Sequence, residues 1–246
     1  LGFTSVFLRS YLAGLNMSTP ATTSFTVQPG IAADSTNVAM ITINAAITKT
    51  SAAWAAGSGS GSLDTGTISG AAAWYHVHII RNPTSLATDV LISLSATTPA
   101  LPSGYTQFRR IGSMRWTASA WQQFYQIGDE FLWKDTSFDA NNVSQPTTAA
   151  LLTCGVPPGV QVTLLGNLLG IFTAAGALYA WSPDRGDIAN FNGNYFVYSW
   201  GNGVMSSSPV AIRTNTSAQI YIKCSAAAGT YYFGTYGWID RRGRDL

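Results

Sequence analysis

Apolar side chains in this chain recur at every second position, a period that suits a strand and not a helix. Tyr75, Val77 and Ile79 share one face of such a run. So do Val90, Ile92 and Leu94, then Val160, Val162 and Leu164, then Ile220, Ile222 and Cys224. No long window carries apolar residues at helical spacing, and Gly or Pro interrupts nearly every stretch. Turn signals separate the runs, among them Pro29-Gly30, Asn82-Pro83, Pro157-Pro158-Gly159 and Asn202-Gly203. The run Tyr195–Trp200 is aromatic on both faces, as in a strand covered on both sides. The pattern predicts an all-β chain: a β-sandwich, jelly-roll or concanavalin/laminin-G-like.

The polar positions sharpen this. Only 10% of the 246 residues are charged, against about 25% in an average soluble domain. Ser, Thr, Asn, Gly and Ala stand where Lys and Glu usually would, and Glu130 is the one glutamate. Helices favour Lys and Glu, and the buried parts of interfaces are poor in them. The composition therefore fits strands, and a subunit that buries surface in an oligomer. Assembly would cover strand edges that so uncharged a surface leaves open.

A net charge of +2 is too small to imply binding to nucleic acid or to an anionic membrane. No run of apolar residues is long enough for a spanning helix. The opening Leu1–Ser10 stretch is broken by Arg9 and lacks a basic leader, so it is not expected to be a signal peptide. Arg241, Arg242 and Arg244 read as a solvated or inter-subunit salt-bridged tail. Cys154 and Cys224 lie in strand-like contexts and read as buried free thiols, with a disulfide as the alternative.

Two soft stretches interrupt the strand pattern. Gly57–Ser62 reads as an exposed, flexible Gly/Ser loop. Asp135–Thr148 is polar and marks the expected boundary, giving an N-terminal β half over 1–140 and a C-terminal β half over 141–246. One continuous sandwich would accommodate the same pattern, because Greek keys cross between sheets by long connections.

Three stretches carry a resemblance. They are Gly61–Ile68 followed by Ala73-Trp-Tyr-His-Val-His78, then Leu94–Ser113, then Gly237-Trp-Ile-Asp-Arg-Arg-Gly-Arg-Asp245. Together they resemble a family of phage and prophage tail-fibre or receptor-binding (virion spike) proteins. The resemblance covers the chain from about Tyr11 onward and implies a virion-associated, homotrimeric, β-rich domain. It carries no catalytic motif, so no residue inherits a role from it. It implies a place on the exterior of the phage particle, tail or head, after assembly in the bacterial cytoplasm. Trp74-Tyr-His-Val77 is also similar to a strand of laminin-G and concanavalin-like sandwiches, which bears on fold and not on function.

Catalysis finds little support in the residues. Polysaccharide hydrolysis usually needs two carboxylates flanking the bond, and the acids here sit scattered in turns. The adjacent pair Asp129-Glu130 would point to opposite faces of a strand. Gly57-Ser-Gly-Ser-Gly61 matches a nucleophile elbow on paper but lacks the strand–turn–helix context. No Gly-rich segment ends in a phosphate-loop Lys-Ser/Thr, and no cofactor is expected. His76 and His78 would share a strand face about 7 Å apart. A metal would need a third ligand from a neighbouring strand or subunit. The plainer alternative sets both on a solvent or interface face opposite Tyr75, Val77 and Ile79.

The expected function is therefore adhesion: recognition of a host-surface glycan or protein, with other virion proteins as further partners. The alternatives are a capsid-decoration or baseplate subunit touching only virion proteins, and a polysaccharide hydrolase. The best binding candidate is the stretch Trp181–Tyr195 with its continuation, naming Trp181, Asp184, Arg185, Asp187, Asn190, Asn192, Trp200 and Asn202. Aromatic rings stack on the C–H face of a sugar, while Asp, Asn and Arg bond its hydroxyls. The alternative reading makes the aromatic residues core and the Asp, Asn and Gly turn formers. Arg185-Gly-Asp187 matches an adhesion-type tripeptide, but so short a match arises by chance and a turn between strands explains it. A second candidate is the hairpin Arg115–Trp121.

Overall fold

A computed structural model describes residues 9–68, 70–186, 197–199, 204–225 and 229–244. The chain is all-β and sandwich-like, and it divides into two compact units. The first is Leu1–Asp129 together with Arg241–Leu246; the second is Glu130–Asp240. The division thus falls before the expected 1–140 boundary. The polar stretch that suggested the boundary runs largely inside a strand. Among the described residues no helix is long and apolar enough to cross a membrane.

In the first unit the strands are β1 (Leu12–Gly14), β2 (Met17–Ala21), β3 (Ser24–Val27), β4 (Gly30–Ala33), β5 (Met40–Ile43) and β6 (Ile47–Ala53). They continue with β7 (Gly61–Leu63), β8 (Ala72–Arg81), β9 (Thr88–Ser93), β10 (Gln107–Thr117) and β11 (Phe124–Ile127). A three-stranded sheet has the order β1-β4-β5, and a seven-stranded sheet has the order β10-β8-β9-β7-β6-β3-β2. Neighbours are antiparallel except that β7 runs parallel to both β6 and β9. β5 packs against β8, β9 and β10. Phe25, Ile41, Ile43, Val77 and Ile79 are buried there.

Alternation on β8 survives, but both of its faces are covered. Val77 and Ile79 are buried, and so are His76 and His78 on the opposite face. The histidines therefore do not face solvent, as the alternation alone allowed. A buried polar layer lies on their side. Lys49 Nζ is 3.1 Å from Asp89 Oδ1, and it also donates to the carbonyls of Ala55 and Gly57. Asp89 Oδ2 accepts from the Gly57 amide. The Gly57–Ser62 stretch is thus pinned by its backbone at one end and enters β7 at Gly61 at the other.

The C-terminal arginines are not all a solvated tail. Arg242 is buried. It donates to Asp129 Oδ1 and to the Gly14 carbonyl, and its own carbonyl accepts from Arg109 Nε. Arg244 also pairs with Asp129.

In the second unit the strands are β12 (Glu130–Ser144), β13 (Ala150–Thr153), β14 (Thr163–Phe172) and β15 (Gly176–Trp181). They continue with β16 (Val197–Ser199), β17 (Val204–Arg213), β18 (Gln219–Cys224) and β19 (Gly229–Ile239). β12, β19, β14 and β17 are successive neighbours in one sheet, and a second sheet has the order β13-β18-β15-β16. β12 keeps pairing with β19 through the polar stretch by three register shifts, the last between Ala140 and Val143. Asn142 takes φ 55° there, a conformation that Asn tolerates better than most residues. Bulges absorb the extra residues, so a stretch that reads as a linker is a strand.

Leu164, Leu168, Phe172, Phe233 and Trp238 are buried in this unit. Trp238 stacks on Phe131 with ring centroids 5.0 Å apart. Gly166 fits beneath this packing because a Cβ there would lie 2.9 Å from Phe233 Cζ. Cys154 and Cys224 are buried and form no disulfide, and burial pushes the Cys154 thiol up.

Candidate functional site

The loop candidate divides into residues the structure describes and residues it does not. Asp187, Asn190, Asn192, Trp200 and Asn202 lie outside the described residues. Trp181 is only 3% exposed. Its ring stacks on Tyr221 at 5.2 Å, its Nε1 donates to the Gly186 carbonyl at 2.6 Å, and it packs with Ala177 and Tyr179. Its ring faces are taken up by the fold and cannot receive a sugar. The sequence misassigned it because core and binding tryptophans have the same local pattern.

Asp184 and Arg185 lie on the 3₁₀ turn Pro183–Arg185 and are exposed. Asp184 Oδ2 is 3.0 Å from Arg213 Nε, and its Oδ1 accepts from Gln161 Nε2 at 3.2 Å. Ser182 caps the turn. The second candidate fares like Trp181. Trp116 and Trp121 are buried, with centroids 5.0 Å apart and edge-on, so only the intervening turn is at the surface.

His76 Nδ1 lies 2.9 Å from Ser113 Oγ. His78 Nε2 lies 3.1 Å from the Ser95 carbonyl, which fixes its proton on Nε2 because a carbonyl only accepts. Burial drives the His78 pKa down to about 3, opposed by the Ser95 bond and aided by Arg110. A buried, neutral imidazole spent on a backbone carbonyl is a structural histidine. Among the described residues no group of three or more His, Cys, Asp or Glu is placed to hold a metal.

Several of the described acids are used internally. Asp89 holds Lys49, Asp129 holds Arg242 and Arg244, and Asp184 holds Arg213. Asp139 accepts from Thr235 Oγ1. Burial works to raise Asp34, but hydrogen bonds from Thr36, Ala39 and Val38 outweigh it and hold its pKa below the usual value.

The surface feature that sequence reasoning missed lies on the second unit's larger sheet. Alternation sends Leu164, Leu168, Tyr231 and Phe233 inward. It leaves Asn167, Leu169 and Ile171 of β14, and Tyr232, Gly234 and Tyr236 of β19, on the other face. Antiparallel register lines these up in rows. Phe138 pairs with Gly234, and Gly234 with Asn167. Tyr232 pairs with Leu169, and Leu169 with Ser207; Ile171 pairs with Met205. Gly234 has no side chain, so the middle of the first row is low between Phe138 and Asn167. The result is a groove of about 680 Å³.

Phe138 and Met205 are 62% and 63% exposed, although large apolar side chains usually find cover. Phe138 meets Tyr232 edge-on at 5.8 Å. Thr136 completes the polar end with Asn167 and Tyr236, while Leu169, Ile171 and Met205 make the other end aliphatic. Among the described residues that line the groove none is charged. The strand β19 alone carried a signal, Tyr232 and Tyr236 on one face. What no single strand showed was which faces would be laid side by side.

Compared with family models and with curated proteins, the chain matches none.

Proposed function

We propose that this chain is a recognition subunit of a phage particle, the outer domain of a fibre or spike, which binds a host surface without covalent chemistry. The observation that carries the reading is the exposed groove over β12, β19, β14 and β17. It offers one aromatic ring 62% exposed, two tyrosines and no charge. Rigid strands position it, and preorganised groups bind at lower entropic cost than groups on loops. The ion pairs that occupy Asp89, Asp129 and Asp184 support a binding role over hydrolysis.

The subunit acts as a homotrimer on the particle's exterior, beside other virion proteins. Repetition of a shallow site around a trimer raises avidity without any new contact. The low charge of the chain supports assembly but names no interface.

Adsorption of the labelled chain to bacterial cells tests the reading. Gly234→Trp fills the groove with a ring, and Phe138→Ala removes its exposed wall. Both variants should keep the far-UV spectrum and lose cell binding. Cell binding that survives both substitutions refutes the groove as the recognition site. A folded chain that binds no cell type but joins virion proteins instead assigns it to the structural alternative. Light scattering tests the assembly: a stable species of 26.1 kDa contradicts the trimer.

A further inference from the structure

The polar side chains in the groove are unspent. The Tyr232 and Tyr236 hydroxyls, the Asn167 amide, and the Thr136 and Ser207 hydroxyls make no hydrogen bond with the described residues. Three polar side chains elsewhere in the same unit are committed. Gln145 donates to the Thr230 carbonyl, Trp133 to the Gly155 carbonyl, and Thr235 to Asp139. Five uncharged donors and acceptors, all free and all facing one concavity, form a set aimed outward.

The chemistry of the set narrows its ligand. Asn167 presents both a donor and an acceptor, and each hydroxyl can do either. A ligand rich in hydroxyls satisfies such a set without bringing a charge. An anionic ligand would lose hydration and find no cation among the lining residues. The Phe138 ring stands beside this polar row, as stacking on a sugar's C–H face requires. Tyr236 and Tyr232 are four residues apart on one strand face, about 13 Å, so the groove accepts an extended chain and not a single ring.

The far end asks for something else. Leu169, Ile171 and Met205 offer no hydrogen bond, and hydroxyl groups placed against them would lose water without compensation. Methyl groups would not. From this juxtaposition we infer that the groove binds a neutral oligosaccharide that carries methyl groups, as 6-deoxy or N-acetyl sugars do, with its hydroxyl-rich residues at Asn167 and Tyr236 and its methyl groups at Ile171 and Met205. The inference rests on the proposed recognition role of this same groove.

Calorimetric titration of the whole chain separates the cases with three probes. One is a neutral oligosaccharide containing deoxyhexose and N-acetylhexosamine, one an unsubstituted glucan of equal length, and one a uronic-acid oligosaccharide. The first should bind at least about tenfold more tightly than the other two, since each methyl hidden from water contributes about fourfold. Asn167→Ala and Phe138→Ala should each weaken it about tenfold. Phe138→Tyr, which keeps the ring, should restore binding and guards against loss by misfolding. Met205→Gln should erase the preference over glucan. Tighter binding of the uronic acid, or a preference untouched by Met205→Gln, overturns the inference. If no saccharide binds while cells still adsorb through the groove, the inference falls and the recognition role stands. If the substitutions instead dissociate an oligomer, the groove is a subunit contact and both fall.

Discussion

Arg242 Nη2 lies 3.1 Å from Asp129 Oδ1, with the arginine almost wholly buried. The two residues stand where the chain leaves the first unit and where it returns, since the second unit occupies Glu130–Asp240 between them. The pair therefore closes the first unit across a gap of more than a hundred residues of sequence. Arg242→Ala should lower stability by about 3 kcal/mol, because it leaves Asp129 and the Gly14 carbonyl without this donor. The change should appear as a lower denaturation midpoint in urea with the first unit's signal affected first. An unchanged midpoint would mean that Arg244 suffices to hold Asp129.

Lys49 and Asp89 form a second buried pair, at 0% and 2% exposure. Burial lowers the Lys49 pKa and the Asp89 charge opposes that fall. The ammonium also sits 5.5 Å from the centre of the Trp54 ring. Lys49→Met strands a buried carboxylate and should cost about 3–5 kcal/mol. Lys49→Met combined with Asp89→Leu should recover most of that loss, because removing both charges removes the desolvation penalty. Thermal unfolding of the two variants checks the order. A double variant no better than the single one would show that the bonds to Ala55 and Gly57 matter more than the charge.

His78 sets a pH dependence with a definite sign. Its pKa is about 3 in the folded chain, below the ordinary value near 6.5. The unfolded chain therefore binds one more proton between those values. Stability contributed by the neutral imidazole is full above about pH 6.5 and is lost as pH falls toward 3, with a slope approaching about 1.4 kcal/mol per pH unit. Asp34, whose pKa is also lowered, adds to the loss only below about pH 4. Denaturation midpoints at pH 7 and pH 5 should differ for the native chain and converge for His78→Gln. Parallel behaviour of the two proteins would assign the acid sensitivity elsewhere.

Gly61 tests why glycine is used in the Gly/Ser stretch. A Cβ there would stand 1.9 Å from the Ala53 carbonyl oxygen and 2.6 Å from that of Ala52. β7 can lie parallel to β6 only if this approach stays open. Gly61→Ala should therefore destabilise by more than about 1 kcal/mol. Gly59→Ala meets no neighbouring atom and bears only the cost of its positive φ, 83°. Comparing the two midpoints separates steric contact from backbone strain. Equal losses would contradict the contact argument.

The glycines show what local sequence can and cannot convey. Gly57-Ser-Gly-Ser-Gly61 reads as loop because small residues favour no element. In the fold one end is held by Lys49 and Asp89 and the other begins a strand. Asp135–Thr148 misled in the same way. Its polar residues sit on a bulged strand whose partner, β19, lies some ninety residues further along the chain.

Side-chain alternation alone determined that this chain forms strands, because the two-residue period follows from the geometry of an extended backbone and needs no partner. It likewise marked Ile220, Ile222 and Cys224 as interior. Tertiary structure decided the rest. Trp181 became core and Phe138 stayed exposed although both are aromatic residues beside polar neighbours. The difference is which strand lies next to each and what covers that face, and strand pairing across long sequence separations carries no local signature. The groove exists because Gly234 was placed between Phe138 and Asn167 by pairing of three distant strands, a relation that only register can create.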